Sequence, residues 1–185
     1  MDLFNQNEVK AEWLHPTEFP SMKGRDVVAI DLETCDTDLK KMGPGWPRKI
    51  GKVIGIAVSS GDFTAYYPIA HDGGGNMDSK VVLKYVKSIC EDESIQKVFH
   101  NAQYDIGWLS VLNIEVKGYI HDTMIAAALL NENRYSFTLN SMVSEYLGEF
   151  KNESLLKAKA EELGIDPKAE MYKLPAEFVG EYAEA

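Results

Sequence analysis

The order of hydrophobic periodicities along the chain limits its fold more than any other feature: strand-like segments come first and helical spacing follows. "DVVAI", residues 26–30, is a short apolar run of the kind that buried central strands carry. "KVIGIAVSS" and "DFTAYYPIA" are two further strand segments, and the "GD" between them marks a hairpin. "HDGGGN" reads as a flexible loop without the Gly-Lys-Ser/Thr ending of a phosphate-binding turn. From Asp78 onward, "SKVVLKYVKSI" places Val81, Val82, Tyr85, Val86 and Ile89 on one helical face. "IQKVFH" is another short strand, the pattern turns helical again at Asn101, and residues 122–185 are helix-rich with breaks near Gly148, at "GIDP" and at "KLP". In the last part, "ESLLKAKAEEL" predicts an amphipathic helix with Leu155, Leu156, Ala160 and Leu163 turned inward. This order predicts an α/β fold, a mixed β-sheet flanked by helices.

At 185 residues, with 45% hydrophobic and 10% aromatic content, the chain is long enough and apolar enough for a real core. The longest apolar run, "MIAAALL", is far short of the roughly 20 residues that span a bilayer, so no membrane association is expected. The N-terminus lacks the basic start and apolar core of a secretory signal, and Cys35 and Cys90 form no disulfide framework or metal pair. An intracellular, cytoplasmic location is expected. A net charge of −10 excludes a general nucleic-acid coating protein, but not an enzyme that grips a short strand locally.

The acids carry the chemistry. In "AIDLETC", Asp31 and Glu33 lie two residues apart at the end of the first strand, so both carboxylates leave the same face. Such like charges raise each other's pKa unless cations neutralise them, and hard divalent ions are bound by oxygen groups of this kind. An isolated Asp-x-Glu can equally begin a solvated loop. "KVFHNAQYDIGWL" runs from a strand into a helix with Asn101, Tyr104 and Asp105 near the helix start. Asn101 suits an N-cap and Asp105 suits a first-turn acid, or Asp105 is a third carboxylate facing the first pair. Asp122 in "HDT" reads as the cap of the following helix, and His71, His100 and His121 form no zinc pattern.

"VVAIDLETC", "FHNAQYD" and "VGEYAEA" together resemble the three motifs of the tyrosine-type proofreading 3′→5′ exonuclease domain of family A DNA polymerases, whose site has four acidic ligands. "GKVIGIAVSS", "YYPIAHD", "IHDTMIAAALL" and "YKLPAEFVGEYAEA" are similar to that family as well, so the likeness covers residues 26–185 and leaves 1–25 as an N-terminal arm. The resemblance implies a ribonuclease H-like fold and two divalent cations, Mg²⁺ or Mn²⁺. It also implies a single-stranded DNA 3′ end as substrate, release of nucleoside 5′-monophosphates, and a polymerase domain C-terminal to this one. Carried onto this sequence, Asp31, Glu33 and Asp105 are metal ligands and Tyr182 aims the attacking water. The family's last motif has an aspartate four positions after the tyrosine. Here Tyr182 is followed only by Ala183, Glu184 and Ala185. The expectation is therefore a domain truncated one residue before its last ligand, with a frayed final helix and impaired cleavage.

Substrate contacts are expected from Thr34 and Leu39 beside the first acids and from Asn101 near the terminal nucleotide. Leu32 also lies beside the acids, with packing as its favoured role. Between residues 40 and 52, "KKMGPGWPRKIGK" carries Lys40, Lys41, Arg48, Lys49 and Lys52 and no acid, with Trp46 among them. Basic groups with an interleaved aromatic suit a single strand, so Trp46 and Arg48 join the candidates. The alternative is a solvated loop with Trp46 tucked into the core. Three functions stay open: a polymerase proofreading exonuclease, virus-encoded or not; a free-standing 3′→5′ exoribonuclease of the same fold; and a non-catalytic DNA-holding domain.

Overall fold

The computed structural model describes residues 9–185. Among these, one five-stranded sheet has the order β3-β2-β1-β4-β5. Its strands are β1 (Val27–Cys35), β2 (Lys52–Ser60), β3 (Phe63–Pro68), β4 (Gln96–Phe99) and β5 (Ile120–Asp122). β1, β2 and β3 pair antiparallel, whereas β4 runs parallel to β1 and β5 parallel to β4. The sheet is therefore mixed, as the order of periodicities predicts. The sequence patterning does not mark β5, whose three residues include no buried position.

Helices cover both faces. α2 (Ser79–Cys90) and α3 (Ala102–Val111) pack on one side, where Val28, Ile30, Leu32, Ile56 and Val58 meet Val82, Val86, Ile89, Trp108 and Leu109. On the other side, Ile54, Ala57 and Tyr66 meet α6 (Ser154–Leu163) and α7 (Glu177–Glu184) through Leu156, Ala160, Val179 and Ala183. α1 (Leu39–Met42), α4 (Thr123–Leu130) and α5 (Leu139–Leu147) lie at the margins. In α6, Leu156 and Ala160 are buried as the amphipathic pattern predicts, while Leu163 is exposed. Leu163 immediately precedes the left-handed Gly164 that ends the helix, so it sits past the last packed turn.

The described part of the N-terminal arm packs onto the sheet domain. Phe19 stacks on Tyr67 at 5.1 Å, and Tyr67 and Tyr85 donate hydroxyl hydrogen bonds to the Glu18 and Pro20 carbonyls. The Trp13 ring lies so close to Gly180 of α7 that a Cβ there would sit 2.1 Å from it. α7 is helical through Glu184, with Phe178, Val179, Gly180 and Ala183 buried, so the frayed end expected from sequence is not seen. Trp13 and a hydrogen bond from the Tyr66 amide to Glu184 (2.8 Å) hold its last turns.

The "HDGGGN" loop is fixed rather than loose. Asn76 bonds the His71 backbone in both directions, and Asp72 and Ala176 amides tie the loop to the segment before α7. The His71 ring is buried: its Nδ1–H donates to the Leu174 carbonyl (3.0 Å) and its Nε2 accepts from the Tyr66 hydroxyl (2.7 Å). Burial lowers its pKa from 6.5 to about 4, against the pull of the Leu174 carbonyl. The fold thus favours the neutral ring. Its contribution is complete above pH 6.5 and is lost as pH falls from there through about 4. The stability advantage of wild type over His71→Leu, read by urea unfolding, should shrink by about 3 kcal/mol between pH 7 and pH 4. A pH-independent difference would show that the ring titrates alike in both states.

Candidate active site

The acids sit where β1 outruns its neighbour. β4 pairs with β1 only from Val27 to Ala29, so among the described residues no strand lies on that side of the later part of β1. There the Leu32 amide donates to Asp105 Oδ1 of α3 at 3.1 Å, which draws Asp105 into a buried position beside the acid pair. On the other side, Asp31 pairs with Ala57, which borders open space with it, and Glu33 pairs with Gly55, where the Tyr66 phenol fills the place of a side chain. A register shift between Glu33 and Thr34 ends this regular stretch.

The electrostatics show crowding. Glu33 is pushed up to about 8 by burial and then by Asp31, with Lys151 and Lys168 pulling the other way. Asp105 is likewise raised to about 8, by burial, then Asp31, with a smaller push from Glu33. Tyr182 of α7 is raised well above its ordinary value by burial, then Glu33, Glu153 and Asp31. The four residues expected at the site, Asp31, Glu33, Asp105 and Tyr182, therefore share one field. A cavity of about 270 Å³ opens over Asp31, walled by Ala57, His100, Leu139, Lys151 and the end of α7.

The donor chemistry suits a hard divalent ion, since all three acids are carboxylates and two are raised first by burial and then by the neighbouring acids. Among the described residues, no three His, Cys, Asp or Glu side chains stand at spacing that would already hold an ion.

The other sequence candidates are placed differently. The Asn101 side chain makes no capping bond: the residue is left-handed (φ 67°) and exposed, and Asp122 does the capping instead. Asp122 accepts from the Asn101 and Ala102 amides (3.1 and 2.8 Å) at the start of α3, and from Met124 and Ile125 (2.9 and 3.3 Å) at the start of α4. Burial raises the Asp122 pKa, but these amides outweigh it and hold the carboxyl below its usual value. Thr34 is engaged with Tyr104: their hydroxyls are 2.7 Å apart, and the Tyr104 hydroxyl donates to Asp36 at 3.1 Å. Leu39 is 40% exposed at the start of α1. Trp46 lies against Gly107 of α3, where a Cβ would be 2.3 Å from the ring, and its indole N–H has no partner among the described residues. Arg48 is exposed and donates to the Gly43 carbonyl, while Lys52 pairs with Asp72 at 2.6 Å.

Sequence reading did not assign Tyr66, Lys151 or Lys168 to this site. Alternation along β3 puts Tyr66 in the same cross-strand row as Ala57 and Asp31, so that signal was available. The two lysines lie in polar stretches that no periodicity connects to the acids.

A family model described as 3′-5′ exonuclease matches residues 17–184. The chain belongs to the 3′-5′ exonuclease family. It is 38% identical over 182 residues to a DNA-directed DNA polymerase of Pseudomonas phage M6, covering 95% of this chain and 27% of that protein. It is 28% identical over 167 residues to DNA polymerase I of Pseudomonas aeruginosa, covering 85% of this chain and 16% of that one. This exonuclease unit thus spans a small part of the length of these relatives. Among solved structures, Trypanosoma brucei RNase D in complex with RNA U12 matches with a TM-score of 0.61 at 22% identity, over 90% of this chain and 53% of that one. Brucella melitensis NrnC with bound Mg²⁺ matches with a TM-score of 0.55 at 20% identity, over 83% and 84%. The fold is ribonuclease H-like, as the sequence resemblance implies.

Two measurements probe this geometry. Asp122→Ala removes the acceptor for two helix starts and should cost about 1–4 kcal/mol in urea unfolding; a loss below about 0.5 kcal/mol would mean other groups cap these helices. The second concerns the crowded acids. Because their folded pKa values are raised, Glu33 and Asp105 favour folding at low pH and lose that contribution as pH rises toward about 8. Added Mg²⁺ or Mn²⁺ should therefore raise the thermal midpoint more at pH 8.5 than at pH 6, and Asp31→Asn should abolish the difference.

Proposed function

We propose that this exonuclease unit removes nucleotides from the 3′ end of single-stranded DNA, as the proofreading part of a DNA polymerase, and releases nucleoside 5′-monophosphates. The observation that carries the reading is the shared field of Asp31, Glu33, Asp105 and Tyr182, with Asp31 on the wall of an open cavity. The relatives named as DNA polymerases, of which this unit is a minor part, support DNA as substrate and a polymerase region as its partner.

Asp31, Glu33 and Asp105 would hold two divalent ions, Mg²⁺ or Mn²⁺. When bound, such ions acidify a water molecule and stabilise negative charge on the departing 3′ oxygen. The protein's own part is positional. The Leu32 amide fixes Asp105, the small Ala57 borders the cavity beside Asp31, and the Tyr66 phenol packs onto Gly55, the cross-strand partner of Glu33. Tyr182 stays protonated because burial and Glu33 hold its pKa high, so its hydroxyl orients water and does not act as a base. Asn101, freed from capping and exposed, is available to the terminal nucleotide, with Thr34 and Leu39 on the β1 side. Lys40, Lys41, Arg48 and Lys49 are exposed and would attract the strand's phosphates beyond it.

The test is digestion of 5′-labelled single-stranded DNA with Mg²⁺ or Mn²⁺, beside RNA of the same sequence. Two chains are compared: this one, and the same chain with an aspartate and a short helical tail after Ala185. Stepwise shortening from the 3′ end, faster with the added aspartate and lost in Asp31→Asn, is expected. Shortening of RNA alone would make the exoribonuclease reading correct, and binding without cutting by either chain would make this a holding module. Replacing Lys40, Lys41, Arg48 and Lys49 by Gln should weaken DNA binding and flatten its salt dependence by about 0.7 per lost phosphate contact. An unchanged slope would remove the loop from the DNA path.

A further inference from the structure

On the wall of the cavity that Asp31 lines stands a cation with no ion-pair partner among the described residues. The loop between α5 and α6 carries Lys151, and it is tethered to α7 by a hydrogen bond from Asn152 Nδ2 to Glu181 Oε1 at 3.3 Å. This seats the Lys151 ammonium 4.8 Å from the centre of the Tyr182 ring. A second lysine, Lys168, stands 5.6 Å from the same ring but is committed, with Nζ 2.6 Å from Glu153 Oε1. Glu153 also pairs with Lys157 at 2.8 Å. Lys151 makes no ion pair among the described residues, and it is the one Lys or Arg among the described residues that line the cavity. A lysine held near carboxylates without closing on any of them has a charge available for an anion.

We infer that Lys151 is a substrate-binding residue of this site, whose ammonium grips the phosphate of the 3′-terminal nucleotide and retains the 5′-monophosphate product. The inference rests on the exonuclease reading and adds a residue to it. An anionic phosphate entering this cavity meets the like charge of Asp31 on its wall, and Lys151, whose charge also acts on Glu33, supplies the opposite charge on the same wall. The face of Tyr182 beneath the ammonium holds it beside the acids. A charge-assisted contact of this kind is worth about tenfold in affinity.

The experiment measures binding of thymidine 5′-monophosphate and of thymidine by the unmodified chain and by Lys151→Met, Lys151→Ala and Lys151→Arg, with and without Mg²⁺. Circular dichroism and urea unfolding check that each variant is folded. Lys151→Met keeps the apolar stem over Tyr182, so loss of packing is separated from loss of charge. The expected result is a preference for the monophosphate that falls about tenfold in the Met and Ala variants and survives in Lys151→Arg, with thymidine binding unchanged throughout. If the Met and Ala variants keep the full preference, Lys151 does not hold the phosphate, and the exonuclease reading stands without it. If both ligands weaken equally, the lysine is a packing element and the inference fails. If the unmodified chain binds neither monophosphate nor DNA and cuts none, the exonuclease reading falls and takes this inference with it.

Discussion

The hydrogen bond from the Leu32 amide to Asp105 is the contact on which the rest of the site depends. A central strand that outlasts its parallel neighbour exposes donors that must be satisfied away from water. Here β4 stops pairing at Ala29, and the first turn of α3 fills the vacated edge. The carboxylate that answers the backbone also faces Asp31, so satisfying the strand and crowding the acids are a single event. α3 is held in that seat by Asp122 at its start and by the close approach of Trp46 to Gly107.

Crowding of this kind works against folding and makes sense as preparation for charge to arrive. Two carboxyls raised to about 8 keep their protons at neutral pH in the protein alone. A cation would displace those protons, and its binding free energy would offset the repulsion. The lysines around Tyr182 reduce the repulsion without cancelling it, because Lys168 is spent on Glu153 and Lys151 pairs with no carboxylate among the described residues.

Four of the five strands, the helix faces and the acid pair were legible in the sequence because each repeats at a fixed period or spacing. Asp31 and Glu33 two apart on a strand have to share a face, and the structure puts them beside small partners on β2. The capping of α3 was not legible. Asn101 has the right chemistry at the right place, yet Asp122, 21 positions away, takes the amides because parallel pairing of β4 with β5 carries it there. Long-range partners leave no periodic trace. The same reason hides the buried Lys97 of β4, whose ammonium donates to the Lys117 carbonyl at 2.8 Å.

The placement of Tyr182 follows from how the sheet edge is closed. β3 is an edge strand among the described residues, and its Tyr66 amide points away from β2. Glu184, two residues past Tyr182, accepts from that amide and so blunts the edge while anchoring the last turn of α7. The hydroxyl of the same Tyr66 donates to His71, whose other nitrogen donates to the Leu174 carbonyl just ahead of α7. One residue therefore grips the helix at both ends, by its backbone at one and by its side chain at the other. The rise between those two points fixes which helical face meets the sheet. That face delivers Tyr182 into the field of Glu33, so the tyrosine's position is a consequence of edge closure as much as of the acids it serves.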